Sequence, residues 1–149
     1  MQTLFDVQTY QDVRQRISSL KADSPRQWGK MSPSQALEHA SRALEMAIGT
    51  RQRPQMFLGK LIGPFFRKDF LSEKPFPKDS PTGPDFIIKD EPDFAATKAR
   101  ILALLAQFHA LGERGCDGHI HGFFGKMSGA EWGVTQYKHL DHHLRQFGS

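Results

Sequence analysis

The chain has 149 residues, is 38% hydrophobic and 24% charged, and so fits one globular domain spanning residues 1–149. It lacks both a signal-peptide pattern and the roughly 20-residue apolar run that a membrane span needs, so we expect a cytoplasmic protein with no membrane partner. The net charge of +4 comes from scattered basic residues, which argues against nucleic-acid binding. The single cysteine, Cys116, excludes an internal disulfide and is expected to be an ordinary loop thiol.

Two helices are predicted in the first third of the chain. The first spans about Thr9–Leu20, where apolar residues repeat on one stripe. The second begins at Ser32, because a serine followed by proline and, three positions on, by Gln35 is typical of a capping box. Its apolar stripe stops just before Gly49, which is expected to close the helix in the left-handed conformation.

A proline-rich segment separates this pair from the later helices. Seven of the nine prolines fall between Pro54 and Pro92, in a stretch that is also rich in phenylalanine. Within it, Met56–Phe66 is predicted to form a short amphipathic helix, and Phe86–Ile88 an extended segment packed on the helices. Because a structureless link of this length is uncommon in a compact domain, we expect the segment to fold down as a lid or crossover.

Two further helices are predicted after the crossover. One runs from about Pro92 to Leu111, and Gly112 is expected to end it. The last runs from a second capping box at Ser128 to about Phe147. The short links favour antiparallel neighbours, whereas the long crossover lets the second and third helices run parallel. The predicted fold is therefore all-α, a four-helix bundle, up-down-down-up, with a long Pro-rich crossover between helices 2 and 3.

Two histidines of the last helix, His139 and His143, have the i,i+4 spacing that places imidazoles side by side, roughly 6 Å apart at Cβ. A helix uses this spacing to grip one transition metal. A third histidine, His39, lies among alanines on the second helix and would be level with the pair if helices two and four were antiparallel. Three neutral imidazoles suit a divalent metal such as Zn or Ni and leave open coordination positions, as in catalytic sites.

Four residues near this predicted site are candidates for its rim or for orienting the histidine rings. One of them, His121, lies in a His-x-His loop, which is expected to be exposed to solvent. Asp141 points away from His139 and is a poor catalytic base. The opposing interpretation is a metal-free cluster, because histidines on apolar helix faces are usually satisfied core residues. The candidates are Gln35, Gln136, His142 and His121.

Three motifs are similar to those of the DinB/YfiT-like superfamily of metalloenzymes, and most closely to an uncharacterised branch that ends in an HLDHHLRQ-type motif. The resemblance implies an up-down-down-up bundle and a divalent metal on three histidines, which match His39, His139 and His143. Characterised members include transferases and isomerases that use mycothiol, bacillithiol or glutathione, so a low-molecular-weight thiol is an expected second cofactor. The motifs are WGKMS at residues 28–32, FFGKMS at residues 123–128 and YKHLDHHLRQ at residues 137–146.

Two classes of function compete on this basis. The first is a metal-dependent thiol S-transferase or hydrolase, which acts on a small-molecule substrate at an open three-histidine site. The second is a non-catalytic metal-binding or stress-response helical bundle, whose site is closed to substrate. The many aromatic residues of the crossover are also compatible with a homodimer.

Overall fold

The computed structural model describes all residues, 1–149, and is mostly helical, with 58% of the chain in helices and little sheet. This content agrees with the all-α class expected from the sequence. The five α-helices are α1 (Val7–Ser19), α2 (Pro33–Ile48), α3 (Phe57–Phe70), α4 (Phe94–Cys116) and α5 (Gly129–Gln146). A short 3-10 helix covers Pro84–Phe86, and an antiparallel hairpin pairs β1 (Ile120–His121) with β2 (Gly125–Lys126).

Both predicted capping boxes are present, at the starts of α2 and α5. Ser32 and Ser128 each accept a hydrogen bond from the backbone three residues later, and the side chain of that later residue accepts one from the serine N–H. Gly49 closes α2 with a φ of 95°, in the left-handed region that glycine tolerates. Local sequence therefore places both helix starts correctly, because each box satisfies backbone donors that the helix leaves free.

The start of α1, the end of α3 and the structure at Phe86 differ from the sequence prediction. Asp6 caps α1 by accepting from the N–H of Thr9 at 2.8 Å, so the helix begins two residues before the predicted start. The predicted short helix of the crossover is present but continues to Phe70 as α3. Phe86 belongs to the 3-10 helix, and only after it, at Ile87, does the backbone become extended.

Helix α4 is longer than predicted, because the chain resumes a helical turn after Gly112. With a φ of 64°, Gly112 interrupts the helix, which then continues to Cys116. The Cys116 side chain is fully buried, and this burial raises the pKa of its thiol to about 11. The expectation of an ordinary loop thiol was therefore wrong, since packing at the end of α4 keeps the sulfur protonated and enclosed.

One hydrophobic core joins α1, α2, α4 and α5. Its largest fully buried side chains are those of Trp132 and Phe108, and α2 packs most extensively against α4. Helix α3 lies outside this core, since the only residues it buries are Gly59 and Gly63. None of the helices combines the length and the apolar character that crossing a bilayer requires.

Three hydrogen bonds show which helix ends lie together. The first joins the segment before α2 to the end of α5. The second joins the segment before α1 to the first part of α5, and the third joins the first part of α4 to the end of α1. The bonds are Gln27 N–H to the Gln146 carbonyl at 2.7 Å, Leu4 N–H to the Gly133 carbonyl at 3.2 Å, and Lys98 Nζ to the Leu20 carbonyl at 2.9 Å.

Arg67 fastens α3 to the hairpin and to α5. Its guanidinium pairs with Glu131 at 2.8 Å and donates hydrogen bonds to the carbonyl oxygens of Phe124 and Lys126. Gly59 lets the α3 backbone approach the hairpin closely, because a Cβ at that position would clash with the Phe123 carbonyl. The inner face of α3 is thus attached to the protein, and the hairpin that it covers carries His121.

Candidate metal centre

The structure brings together the three histidines that the sequence singled out. His39 comes from α2, and His139 and His143 lie one turn apart on α5; one ring nitrogen of each lies within 4.8 Å of the other two. The Nε2 atom of His139 is 2.9 Å from Nε2 of His39 and 3.2 Å from Nε2 of His143. Two nitrogen ligands of one tetrahedral zinc ion are roughly 3.3 Å apart, so both separations are close to that of a shared metal.

Local packing explains why the rings can meet. On α2 the neighbours of His39 are Ala40, next in sequence, and Ala36 and Ala43, one turn away, whose small side chains leave room beside the imidazole. On α5 the four-residue spacing puts both rings on one face. The resulting cluster lies in the interior, where His39 is 5% exposed.

Hydrogen bonds hold the outer nitrogens of two rings. Nδ1 of His39 is 2.9 Å from the carbonyl oxygen of Phe86, and Nδ1 of His143 is 3.0 Å from Oε1 of Gln146. The amide nitrogen of Gln146 donates to the carbonyl of Trp28 at 3.0 Å, which leaves its oxygen facing the histidine. Because both partner oxygens can only accept, each Nδ1 carries the ring proton and each Nε2 presents a bare lone pair.

The cluster therefore has too few ring hydrogens to form hydrogen bonds at both of its nitrogen–nitrogen contacts. Nε2 of His139 can carry one hydrogen and donate it to His39 or to His143, but not to both. In the remaining contact the Nε2 lone pair of the other histidine faces the electron-rich Nε2 of His139 at about 3 Å, with no hydrogen between the two atoms. A cation between the three Nε2 atoms removes this repulsion, and three neutral imidazoles are an ordinary donor set for a transition metal.

Burial also keeps the three rings neutral. It is the main cause that lowers the pKa of His39 below its usual range, with the Phe86 carbonyl opposing the shift. The pKa of His139 is lowered well below that range by burial and by the neighbouring histidines. Burial and the nearby His39 lower the pKa of His143 to about 3. At neutral pH all three rings are thus in the form that binds metals.

The four predicted rim residues fall into different environments. Gln35 closes the capping box of α2 and donates to the carbonyl of Asp90, so its side chain is committed elsewhere. Gln136 is buried on α5, and its Oε1 has no hydrogen-bond partner. His142 stands beside the cluster, where its ring meets Trp28 edge-on at 5.8 Å and burial lowers its pKa.

His121, the fourth predicted rim residue, is enclosed by aromatic side chains. Its ring centre lies between 5.1 and 5.6 Å from those of Phe70, Phe124 and Trp132. Its Nδ1 accepts hydrogen bonds from the N–H groups of Phe123 and Phe124, and burial lowers its pKa to about 4. The expectation of a solvent-exposed His-x-His loop was wrong, because the hairpin turns this ring inward.

Two groups that support the cluster were missed in the sequence. The Phe86 carbonyl comes from the crossover, and no side-chain pattern identifies a backbone oxygen. Gln146 had a detectable signal, since it follows His143 by three residues and therefore lies on the same helix face.

No carboxylate belongs to the cluster. Asp141 forms an ion pair with Arg16 at 3.0 Å, on the side of α5 that faces α1. Glu38, next to His39 in sequence, pairs instead with Arg42 and Arg100. The acidic side chains near the histidines in sequence are thus held by arginines, and the donor set consists of imidazole nitrogens alone.

The sequence matches one family model, described as "Protein of unknown function (DUF1569)", over residues 2–149. No curated protein and no solved structure matches it. Since the matched region is nearly the whole chain, the protein belongs to the DUF1569 family.

Proposed function

We propose that this protein binds one divalent metal ion through the Nε2 atoms of His39, His139 and His143. The observation that carries the proposal is the proton shortage of the cluster, in which Phe86 and Gln146 fix two rings with their lone pairs turned inward. Rings held in this way are typical of metal ligands, whose outer nitrogen is bonded to a carbonyl or carboxylate partner.

Zinc and nickel are the proposed metals. Neutral imidazoles bind both ions well, whereas Mg²⁺ and Ca²⁺ prefer oxygen ligands, which this cluster does not offer. Three protein ligands also leave a coordination position for a small molecule.

The proposed reaction class is metal-dependent transfer of a low-molecular-weight thiol, or hydrolysis. A metal bound here would supply Lewis-acid chemistry, lowering the pKa of a coordinated thiol or water. The chain itself orients the ligand rings through Phe86 and Gln146. The aromatic side chains around His121 and His142 limit the entry of bulk water from the hairpin and crossover side.

The proposed arrangement is an up-down-down-up four-helix bundle of the DinB/YfiT-like superfamily, with α3 inside the crossover. The hydrogen bonds between helix ends support it, since they pair α1 with α5 in one direction and set α2 and α4 in the other. The three motifs similar to that superfamily lie before α2, in the hairpin and along α5. The proposal of a thiol cofactor depends on this resemblance to the superfamily.

Metal analysis of the purified protein tests the binding proposal. We expect about one zinc or nickel ion per chain, and its loss in His39→Gln, His139→Gln and His143→Gln. His142→Gln is the matched control, since it removes a neighbouring α5 histidine outside the cluster and should retain the metal. Equal metal content in all four variants, each checked for native helical content by circular dichroism, would refute the assignment.

The absence of a free carboxylate beside the cluster favours a second candidate, a non-catalytic metal-binding module. The two functions differ in whether the metal accepts a further ligand. Cobalt(II) substitution followed by titration with glutathione distinguishes them. A new sulfur-to-cobalt absorption band supports the transferase, whereas an unchanged visible spectrum favours the closed module.

A further inference from the structure

The outer face of α3 is apolar and uncovered. Phe57, Leu61 and Phe65 follow each other at four-residue steps, so they form one stripe along the helix. Their exposed fractions are 76%, 56% and 82%, and Leu58 beside them is 53% exposed. Side chains of this kind are normally buried, and a continuous exposed group of them marks an interaction surface.

The charges around this face are positive and unpaired. Lys60 and Lys68 are exposed on α3, and neither has a carboxylate within ion-pair distance. Arg67, by contrast, is committed to Glu131 on the inner side of the helix. The only acidic residue of α3, Asp69, lies 3.5 Å from Lys74. The face thus combines bulky apolar groups with two free ammonium groups.

We propose that α3 docks on an anionic lipid bilayer surface. Phe57, Leu61 and Phe65 enter the boundary between headgroups and acyl chains, and Lys60 and Lys68 meet the lipid phosphates. A helix that lies in the interface with aromatic and leucine side chains on one face and lysines beside them has this mode of binding. Long lysine side chains also reach past buried apolar groups to the headgroup level.

Charge favours a bilayer over a second copy of the chain. The protein carries a net charge of +4, so two copies that met through this face would bring like charges and four unpaired lysines together. An anionic bilayer supplies both an apolar layer and phosphate groups. This docking differs from the membrane-spanning mode that the sequence excludes, and it modifies the expectation that the protein has no membrane partner.

Co-sedimentation with phosphatidylcholine vesicles, with and without phosphatidylglycerol, tests the proposal. The wild-type protein should bind the anionic vesicles and lose that binding in high salt. The Lys60→Gln/Lys68→Gln double variant should partition about 25-fold more weakly, from about fivefold for each lysine. Phe57→Ser/Phe65→Ser should abolish binding, whereas Val7→Ser, which alters a residue of α1 that is 53% exposed, should not.

Circular dichroism and metal content serve as folding controls, because the altered side chains project into solvent and lie outside the histidine cluster. Failure of the folded wild-type protein to bind anionic vesicles overturns the proposal. So does equal binding by Phe57→Ser/Phe65→Ser. A wild-type dimer that this variant converts to a monomer, with no vesicle binding, would instead identify a second copy as the occupant.

Discussion

At the scale of single residues, the side-chain amide of Gln146 makes two hydrogen bonds that depend on each other. The nitrogen donates to the Trp28 carbonyl, and the oxygen is thereby turned toward Nδ1 of His143. One side chain therefore ties the segment before α2 to the end of α5 and also selects the ring tautomer. Gln35, a rim residue predicted from the sequence, makes no such contact, since it caps α2.

Replacing Gln146 should weaken metal binding without removing a ligand. In Gln146→Met the His143 ring loses the acceptor that fixes its tautomer, so we expect the zinc affinity to fall about 10- to 100-fold. Competition with a chromophoric chelator measures this change. Gln35→Met is the control, and its zinc affinity should remain that of the wild type. An unchanged affinity in Gln146→Met would show that the ring needs no such support.

The hairpin is the element that the sequence described least well. Its two strands have only two residues each, too few for an alternating pattern to be recognised. His121 closes the turn, since its Nδ1 accepts from two backbone N–H groups in the loop between the strands. The ring must therefore stay neutral, because a proton on Nδ1 would face two donors.

Acid should destabilise the protein through this ring. The folded-state pKa of His121 is about 4 and lies below its ordinary value of 6.5, so the unfolded chain binds the proton more tightly. The free energy of unfolding is then unaffected above pH 6.5 and falls as the pH drops from 6.5 to 4, by up to about 3 kcal/mol.

Urea unfolding at pH 7.5 and pH 4.5 measures the effect. His121→Asn keeps an oxygen acceptor near the position of Nδ1 but does not titrate, so its free energy of unfolding should fall less between the two pH values. The other buried histidines contribute equally to both proteins and cancel in the comparison. An identical fall in wild type and variant would contradict the assigned role.

At the scale of the whole molecule, the histidine cluster joins the two ends of the sequence. His39 and His139 are separated by 100 residues, and they bring α2 and α5 into contact near the start of one helix and the end of the other. A metal at this position binds the folded chain only, because the unfolded chain does not hold the three rings together. Metal binding should therefore stabilise the entire fold.

Zinc should raise the melting temperature. At a free zinc concentration about 100-fold above the dissociation constant, the stabilisation of about 2.7 kcal/mol corresponds to a rise of roughly 5–10 °C. Differential scanning calorimetry with zinc, and then with a chelator, measures the rise and its reversal. His143→Gln should show almost no rise. A rise of the same size in that variant would locate the bound zinc elsewhere, such as on surface histidines.

Short-range signals predicted much of the helical structure. The capping boxes at Ser32 and Ser128, the glycine at the end of α2 and the four-residue spacing of His139 and His143 all depend on residues within one or two helical turns. The structure of the crossover was harder to predict, because its prolines and phenylalanines do not show which side of the segment packs against the core. The apolar stripe of α3 thus resembled a packed face, although the fold leaves it uncovered.

The type and place of the metal-site candidate followed from the sequence, since helix periodicity and link lengths together bring His39 level with the α5 pair. Only the tertiary structure decided what surrounds those rings: the Phe86 carbonyl, the Gln146 bridge to Trp28 and the inward His121. The physical reason is the range of the interactions. Helix caps and periodicity act between near neighbours, whereas ring tautomers, burial and lowered pKa values depend on segments that meet only after the chain has folded.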